Sequence, residues 1–517
     1  MKIGKSEIRS ALKKLQSFKG AKGETDLVFK ENEKWWRMRH WELLPETHGV
    51  KPTSAWLFNS IINKHADAMD NFPFCTVLPQ SSDDKKAAEV LNKVIPVILE
   101  KCDYQKIYSL LWWDKLKLGV SAVGVFWNPD ASEGIGDISL QRINPLNLYF
   151  EPGILDLEES SDVFYIESVN NELLKKLYPD ADLSAAKGFI RPDGAFSDNR
   201  SAVINWYYKK NGRLHYCRFV GEELLFSSEN EKQYKDTGWY SHGRYPFILD
   251  PLFPRDDSPY GFGYIDTMKD TQMYIDILNK CILENAMLSS KKRFFLRDDG
   301  SINEGEFLDF SNAIIHSSGN LGEDSIRELS TNPLAGIHMS VLQHKIDELK
   351  ETSGNRDFSQ GSTAQGVTAA SAIAALQEAG SKLSRDMLKN SYRSYKAMCY
   401  LIIELVRQFY IAPRVFRISG EEFLSFDNAM LKAPNAAEEF GIEYSSREPI
   451  FDITVAAEKG SPYSTAANNE LAKEFFSLGF FNPERASEAL GAIEMMQFEG
   501  KEQMKKRIEE NIASRVN

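Results

Sequence analysis

Apolar positions recur along the chain with two periods, and the change between them divides it. In the first half the runs are short and mixed. From Ala55 to Asn71, Phe58, Ile61, Ile62, His65 and Met69 return at helical spacing, and Pro73 closes the run. FCTVLPQ then reads as a strand. Asp83–Leu118 predicts one or two helices, interrupted at Pro96 and ended by Gly119. SAVGVFWNP, DISLQRINP, LYFEPG and Asp162–Val169 read as strands, with a short helix from Asn171 to Tyr178. AVINWYYKK and RLHYCRFV flank Asn211-Gly212, a hairpin signal because both turn residues tolerate positive φ. Residues 31–255 thus predict a mixed α+β body.

From Tyr264 the helical period takes over. Ile265, Met268, Gln272, Ile275, Leu278, Ile282 and Asn285 predict a helix over Tyr264–Leu288, roughly 37 Å long at 1.5 Å per residue. A polar, turn-rich insert follows, Ser289–Asn332. Within it KKRFFLRD and NAIIHSSG predict two strands around DDGSINEGEF. A returning helix, Ile337–Thr352, carries Val341, Ile346 and Leu349. Then comes the loop SGNRDFSQGSTAQG, Ser353–Gly366, where Gly354, Gly361 and Gly366 permit movement. Val367–Tyr410 predicts a very long helix. It opens on small residues (Ala369, Ala370, Ala372, Ala374, Ala375), has a kink site at Gly380 and becomes strongly apolar towards Tyr410. RVFRIS and FDITVAAE predict strands. The tail predicts helices over Ser464–Leu478, Pro483–Leu490 and Glu499–Val516. Helix, insert, returning helix, loop, long helix is a poor plan for a catalytic pocket and a good one for a rod repeated about an axis.

Residues 1–30 predict a polar, partly flexible arm, made basic by Lys14, Lys19 and Lys22. Glu31–Leu44 interleaves Trp35, Trp36 and Trp41 with Arg37, Arg39 and His40. Such interleaving can stack bases, but helix packing or a subunit contact is the stronger reading. The 517 residues suffice for several domains, and 42% hydrophobic with 26% charged residues excludes wholesale disorder. The five cysteines are scattered without a CxxC pair, which argues against a disulfide framework or a structural zinc and suits a reducing compartment. Cys281 and Cys399 are expected to be packed thiols on apolar helical faces. The N-terminus has no apolar run of signal-peptide length, and no run of about 18 apolar residues predicts a membrane span.

Catalytic patterns are missing. There is no HExxH, GxSxG, Walker A or Cys/His cluster. Asp83-Asp84, Asp256-Asp257 and Asp298-Asp299 read as solvated turn carboxylates rather than magnesium ligands. His338 and His344, six residues apart, do not share a helix face, and His316 has no partner in sequence. No enzymatic activity, cofactor or metal is predicted.

Three stretches, in this order, resemble the portal proteins (head-to-tail connectors) of tailed bacteriophages. ISLQRINPLNLYFEPG is similar to the segment closing the first half of the portal wing. DSPYGFGYIDTMKDTQMYIDILNKCILENA is similar to the lead-in to the first stem helix. GSTAQGVTAASAIAALQEAG is similar to the end of the tunnel loop and the start of the helix behind it. The resemblance implies a portal-like α+β fold. Its parts would be a mixed α/β wing (31–255), a two-helix stem (256–290 and 333–352), a small β-containing clip (291–332) and a tunnel loop (353–366). A long kinked helix with further wing strands (367–458) and a helical C-terminal crown (459–517) complete it.

It also implies a function: a dodecameric ring at one capsid vertex, assembled in the host cytoplasm, through which double-stranded DNA is packaged and ejected. Implied partners are further copies of the chain, the DNA, the terminase large subunit, head-tail adaptor or neck proteins, and the major capsid and scaffold proteins. The tunnel-loop candidates are Arg356, the loop's only basic residue, with Gln360, Ser362, Thr363 and Gln365. The clip candidates for motor and neck contact are Phe294, Phe295 and Arg297. A net charge of −12 would suit a channel that repels phosphate, although an ordinary acidic soluble protein would carry it equally well. Two other classes compete. A helical scaffold or adaptor without a channel would be a monomer or dimer and tolerate deletion of Ser353–Gly366. A nuclease using an Asp pair would need Mg²⁺.

Overall fold

The computed structural model describes residues 2–45, 49–179, 181, 189–190, 196–197, 199–234, 237–290, 293–296, 303–309, 311, 313–318, 326–329, 336–354, 382–419, 422–431 and 449–459, with short pieces at 474–479, 489–491, 493, 504–505 and 508. The chain begins with α1 (Lys5–Trp36), a single helix of 32 residues where a flexible arm was expected. Ile8, Ala11, Leu15, Phe18, Lys22, Phe29, Asn32 and Trp35 are buried along it. That spacing is helical, but the lysines between these residues disguise the stripe. Lys22 is itself buried. It donates to the carbonyls of Pro145 (2.5 Å) and Leu148 (3.0 Å), lies 3.1 Å from Asp26, and sits over the rings of Tyr149 and Tyr260.

The body follows: α2 (Trp56–Met69), β1 (Asn71–Pro79), α3 (Lys85–Lys101), α4 (Tyr104–Leu118), β2 (Val120–Asn128), β3 (Asp137–Ile143), β4 (Leu148–Phe150), β5 (Asp162–Asn170), α5 (Asn171–Leu177), β6 (Phe189–Ile190), β7 (Phe196–Ser197), β8 (Arg200–Lys210), β9 (Arg213–Val220), β10 (Glu223–Ser227) and β11 (Phe247–Pro251). Beyond it lie α6 (Tyr264–Ser290), β12 (Arg293–Leu296), α7 (Glu304–Leu308), β13 (Ile326–Leu329), α8 (Ile337–Ser353), α9 (Lys382–Phe409), β14 (Arg414–Ser419), β15 (Glu422–Phe426) and β16 (Phe451–Lys459).

The fold is mixed α+β. One antiparallel sheet runs β10-β9-β8-β5-β4 and a second runs β11-β2-β3. The β8–β9 turn places Asn211 and Gly212 at φ 53° and 74°, as a tight two-residue hairpin requires. β1 pairs with β16 from Asn71↔Lys459 to Pro79↔Phe451, so the late chain returns to close the body. α9 packs against α2, α3, β1, β2, β11 and β16. Its Cys399, Ile402, Ile403, Leu405 and Val406 are all buried. β2, covered by α4 and α9, is buried continuously from Val120 to Val125.

Three expectations are corrected here. Pro96 does not interrupt α3, which runs unbroken to Lys101. Burial of Leu91, Val94, Ile95 and Ile98 outweighs the lost backbone hydrogen bond, and the break falls at Asp103, whose φ is 51°. The buried side of α2 is Leu57, Ser60, Ile61, Lys64 and Ala68, a partial turn away from the expected face, so Ile62 is exposed. The partner of β12 is β13, and not the segment NAIIHSSG, in which Ile314 is 71% exposed.

A buried polar cluster ties the layers together. Lys115 of α4 is 2.5 Å from Asp250 of β11 and from the hydroxyl of Ser391 on α9; Ser391 also donates to Asp250 at 2.9 Å. Asp250→Ala leaves the Lys115 ammonium buried without its counter-charge. The expected loss is about 3–5 kcal/mol of stability, measured by urea denaturation.

Burial lowers the Lys22 pKa to about 8 from an ordinary 10.5. Between those values the unfolded chain keeps a proton that the folded chain has released, so stability rises with pH there and the contribution is flat below about 8. Between pH 7.5 and 9.5 the melting temperature of the native sequence should therefore rise relative to that of Lys22→Met. Parallel curves would contradict this.

Candidate functional site: the paired helices and their distal hairpin

α6 and α8 pack against one another and onto α2. The junction of α6 with the body is built from backbone contact. Gly119, at φ +83°, ends α4, and a Cβ there would lie 2.4 Å from the Phe262 backbone; one on Gly263 would meet Gly119 N at 2.9 Å. Asp266, in the first turn, accepts from the Gly263 N–H (3.0 Å) and from Asn32 of α1 (3.0 Å), which satisfies an otherwise orphaned helix-start donor.

Two turns further on, Gln272 and Asp276 sit fully inside. The Asp276 carboxylate accepts the Ser54 N–H (2.8 Å) and the Gln272 amide (3.0 Å), and lies 3.0 Å from His40 Nε2. Gln272 also receives the Leu57 N–H (3.0 Å) and donates to the Ser54 carbonyl (2.9 Å), while Asn279 donates to the Ser54 hydroxyl (2.9 Å). His40 is stacked on Trp35, 4.3 Å between ring centres, and Trp41 donates to the Pro52 carbonyl. The tryptophans and His40 of the 35–41 cluster are therefore packing residues, in line with the stronger reading, whereas Arg37 and Arg39 are exposed and pair with Glu33 and Glu42. Trp36 likewise lies against Phe58 and Trp113.

Past this anchor the burial ends. Along α6, Tyr274, Ile277, Leu283, Met287 and Leu288 are exposed, and so are Ile337, Met339 and Val341 at the start of α8. Leu342, Leu349 and Ile275 are buried in the same core cluster, with Ile282 and Ile346 packed against it, while the outward apolar residues stay exposed. Cys281 is exposed on α6, correcting the expectation of a packed thiol, whereas Cys399 is buried.

At the far end β12 pairs with β13, Arg293↔Leu329 to Leu296↔Ile326. Phe294 is half-buried, edge-on to Phe307 at 5.1 Å, and Phe295 is 61% exposed. Of the clip candidates, then, Phe295 is available for contact and Phe294 supports the hairpin; Arg297 lies outside the described residues. His316 does have a partner, Glu306 at 2.9 Å. α8 ends at Gly354 in the left-handed region, φ 69°. Arg356, Gln360, Ser362, Thr363 and Gln365 lie outside the described residues, as does Gly380.

Among the described residues no group of three or more His, Cys, Asp or Glu is placed to hold a metal ion, and no helix is long and apolar enough to cross a membrane. Asp257 is held by Arg255 through two hydrogen bonds, 2.9 and 2.8 Å, on the surface. Asp84 is fully buried, against the expectation of a solvated turn.

Exposed apolar side chains on α6 and α8 suit a protein that works through contacts with other chains. The family model for phage P22-like portal proteins matches residues 66–244 and 209–516, and the chain belongs to that family. It is thus a portal protein of a tailed phage: a structural, homo-oligomeric component of a capsid vertex. A comparison with curated proteins returns no match.

Replacing Asp276 with Ala strips the acceptor from the Ser54 N–H and the Gln272 amide. Each buried donor left unpaired costs about 1–3 kcal/mol. Hydrogen exchange by mass spectrometry should show residues 264–288 opening in this variant before the β8–β9 hairpin does.

Proposed function

We propose that the chain closes into a dodecameric ring whose axis is a channel for double-stranded DNA during packaging and ejection. In this reading residues 31–255 with the strands after α9 form the wing, α6 and α8 the stem, residues 291–332 the clip, and 459–517 the crown. The stem helices of neighbouring subunits pack side by side. Heterologous contacts of this kind generate closed rings when the rotation per subunit closes. The observation that carries the reading is the apolar surface of α6 and the start of α8, with Leu283 at 45%, Met287 at 51% and Ile337 at 65% exposure. Several large apolar side chains left exposed on otherwise well-packed helices suit a protein contact.

The clip, with Phe295 at its surface, is the docking platform for the terminase large subunit and later for neck and tail proteins. The 353–366 loop faces the DNA, with Arg356 and the polar residues Gln360, Ser362, Thr363 and Gln365 as its contacts. These assignments rest on the family and on the order of elements. The scaffold-or-adaptor alternative needs no such exposed pair of helices, and the nuclease alternative needs a freer Asp257 than the Arg255 pair leaves.

The test is assembly. The Leu283→Glu, Met287→Glu double variant should keep the circular dichroism and melting profile of the native chain, because both side chains are already exposed. It should lose the large species in sedimentation velocity. A double variant that assembles as the native chain does would overturn the role given to this face.

A further inference from the structure

Two of the five cysteines face each other inside the body. In β1 alternate residues turn inward, Cys75 and Val77 buried while Phe74 and Leu78 are exposed. α9 lies along this strand and is pinned at two levels. The Tyr392 hydroxyl donates to the Asn71 carbonyl (3.2 Å) at the start of β1. The Tyr400 hydroxyl donates to the Phe451 carbonyl (3.4 Å), and Phe451 pairs with Pro79 at the end of β1.

Between these pins, Cys75 is about 13 Å along the strand from Asn71, and Cys399 is about 10 Å along the helix from Tyr392. α9 packs on β1 along this stretch, and both cysteines belong to one core cluster. A hydrogen bond joins them, and Tyr395, one turn earlier, reaches Cys399 as well. Both are free thiols, 5% and 0% exposed. The other cysteines have different surroundings: Cys102 donates to the Ile138 carbonyl, Cys217 is buried in the five-stranded sheet, and Cys281 is exposed on α6.

We propose that Cys75 and Cys399 form a latent disulfide, kept as thiols while the particle assembles in a reducing cell and oxidised once it reaches an oxidising medium. The oxidant is a peroxide. The Cys75 thiolate attacks one peroxide oxygen of hydrogen peroxide, the O–O bond breaks, and a sulfenic acid and water form. The Cys399 sulfur then attacks the sulfenic sulfur, its proton leaves with the hydroxyl as a second water, and the S–S bond closes. Two thiols and one peroxide give one disulfide and two waters. Cys75 reacts first because it is the less buried cysteine, 5% exposed against 0% for Cys399. The bond ties α9 to the strand that β16 closes. It spans most of the chain, so it removes much freedom from the unfolded state, and the body resists unfolding more strongly after oxidation.

The experiment uses the purified full chain, treated with dilute hydrogen peroxide and then alkylated. Peptide mass spectrometry should find one linked pair, the Cys75 peptide joined to the Cys399 peptide, lighter by two hydrogens. The melting midpoint should rise by a few degrees and return on reduction. Cys75→Ser and Cys399→Ser should each abolish the link and the rise; Cys75→Ala and Cys399→Ala guard against a serine that disturbs folding. Sulfinic acid on Cys75 without a link, links through Cys102, Cys217 or Cys281 instead, or a link that leaves the melting midpoint unchanged would each overturn the proposal.

Discussion

The Asp276 carboxylate is fully buried, and the geometry of the projecting helices depends on it. It gathers the Ser54 backbone N–H, the Gln272 amide and the His40 ring around one point on α6. A buried carboxylate is costly unless it is hydrogen-bonded, and once satisfied it is directional in a way that leucine contacts are not. Through it the segment before α2, the turn after α1 and the α6 helix share one register. The glycine contacts of Gly119 and Gly263 set where α6 starts, and the Asp276 network sets how it leaves the body. A helix so anchored can expose its second half without losing its orientation.

The rest of the body supplies the stiffness behind that anchor. α9 packs against two helices, α2 and α3, and against β1, β2, β11 and β16, and the Lys115–Asp250–Ser391 cluster locks it to α4 and β11. β1 and β16, distant in sequence, pair over their whole length and hold both parts of the chain in one unit. In the proposed ring, rigidity in the body and exposed apolar side chains on the projecting pair belong together, because neighbours would complete those contacts against a frame that does not deform.

Much of this was legible in the sequence where local chemistry decides structure. Asn211-Gly212 can take positive φ at both positions, and the hairpin is there. The α6 and α8 periods are long and uninterrupted, and both helices form within a residue or two of the expected ends. Elements ruled by distant packing were less readable. The lysine-rich α1 looked like a solvated arm because the acceptors for Lys22, the Pro145 and Leu148 carbonyls, are more than a hundred residues away. Pro96 looked like a break because the apolar partners of α3 are not local. The pairing of β12 with β13 skipped a nearer apolar segment, since register is chosen in three dimensions. The Gln272–Asp276 pair carried a signal of its own, two polar residues on an otherwise apolar helix face, but His40 and Ser54 as its partners could not be read from spacing.

In the proposed assembly the portal subunit closes a ring through its projecting helices, with a hole at the centre. Electron microscopy of the purified, assembled chain tests it most directly. Closed rings are expected, with α6 and α8 of each subunit lining the central hole and their exposed apolar side chains buried between neighbours. A stable dimer without a hole, across salt and protein concentration, or a ring whose α6 and α8 face outward into solvent, would contradict it.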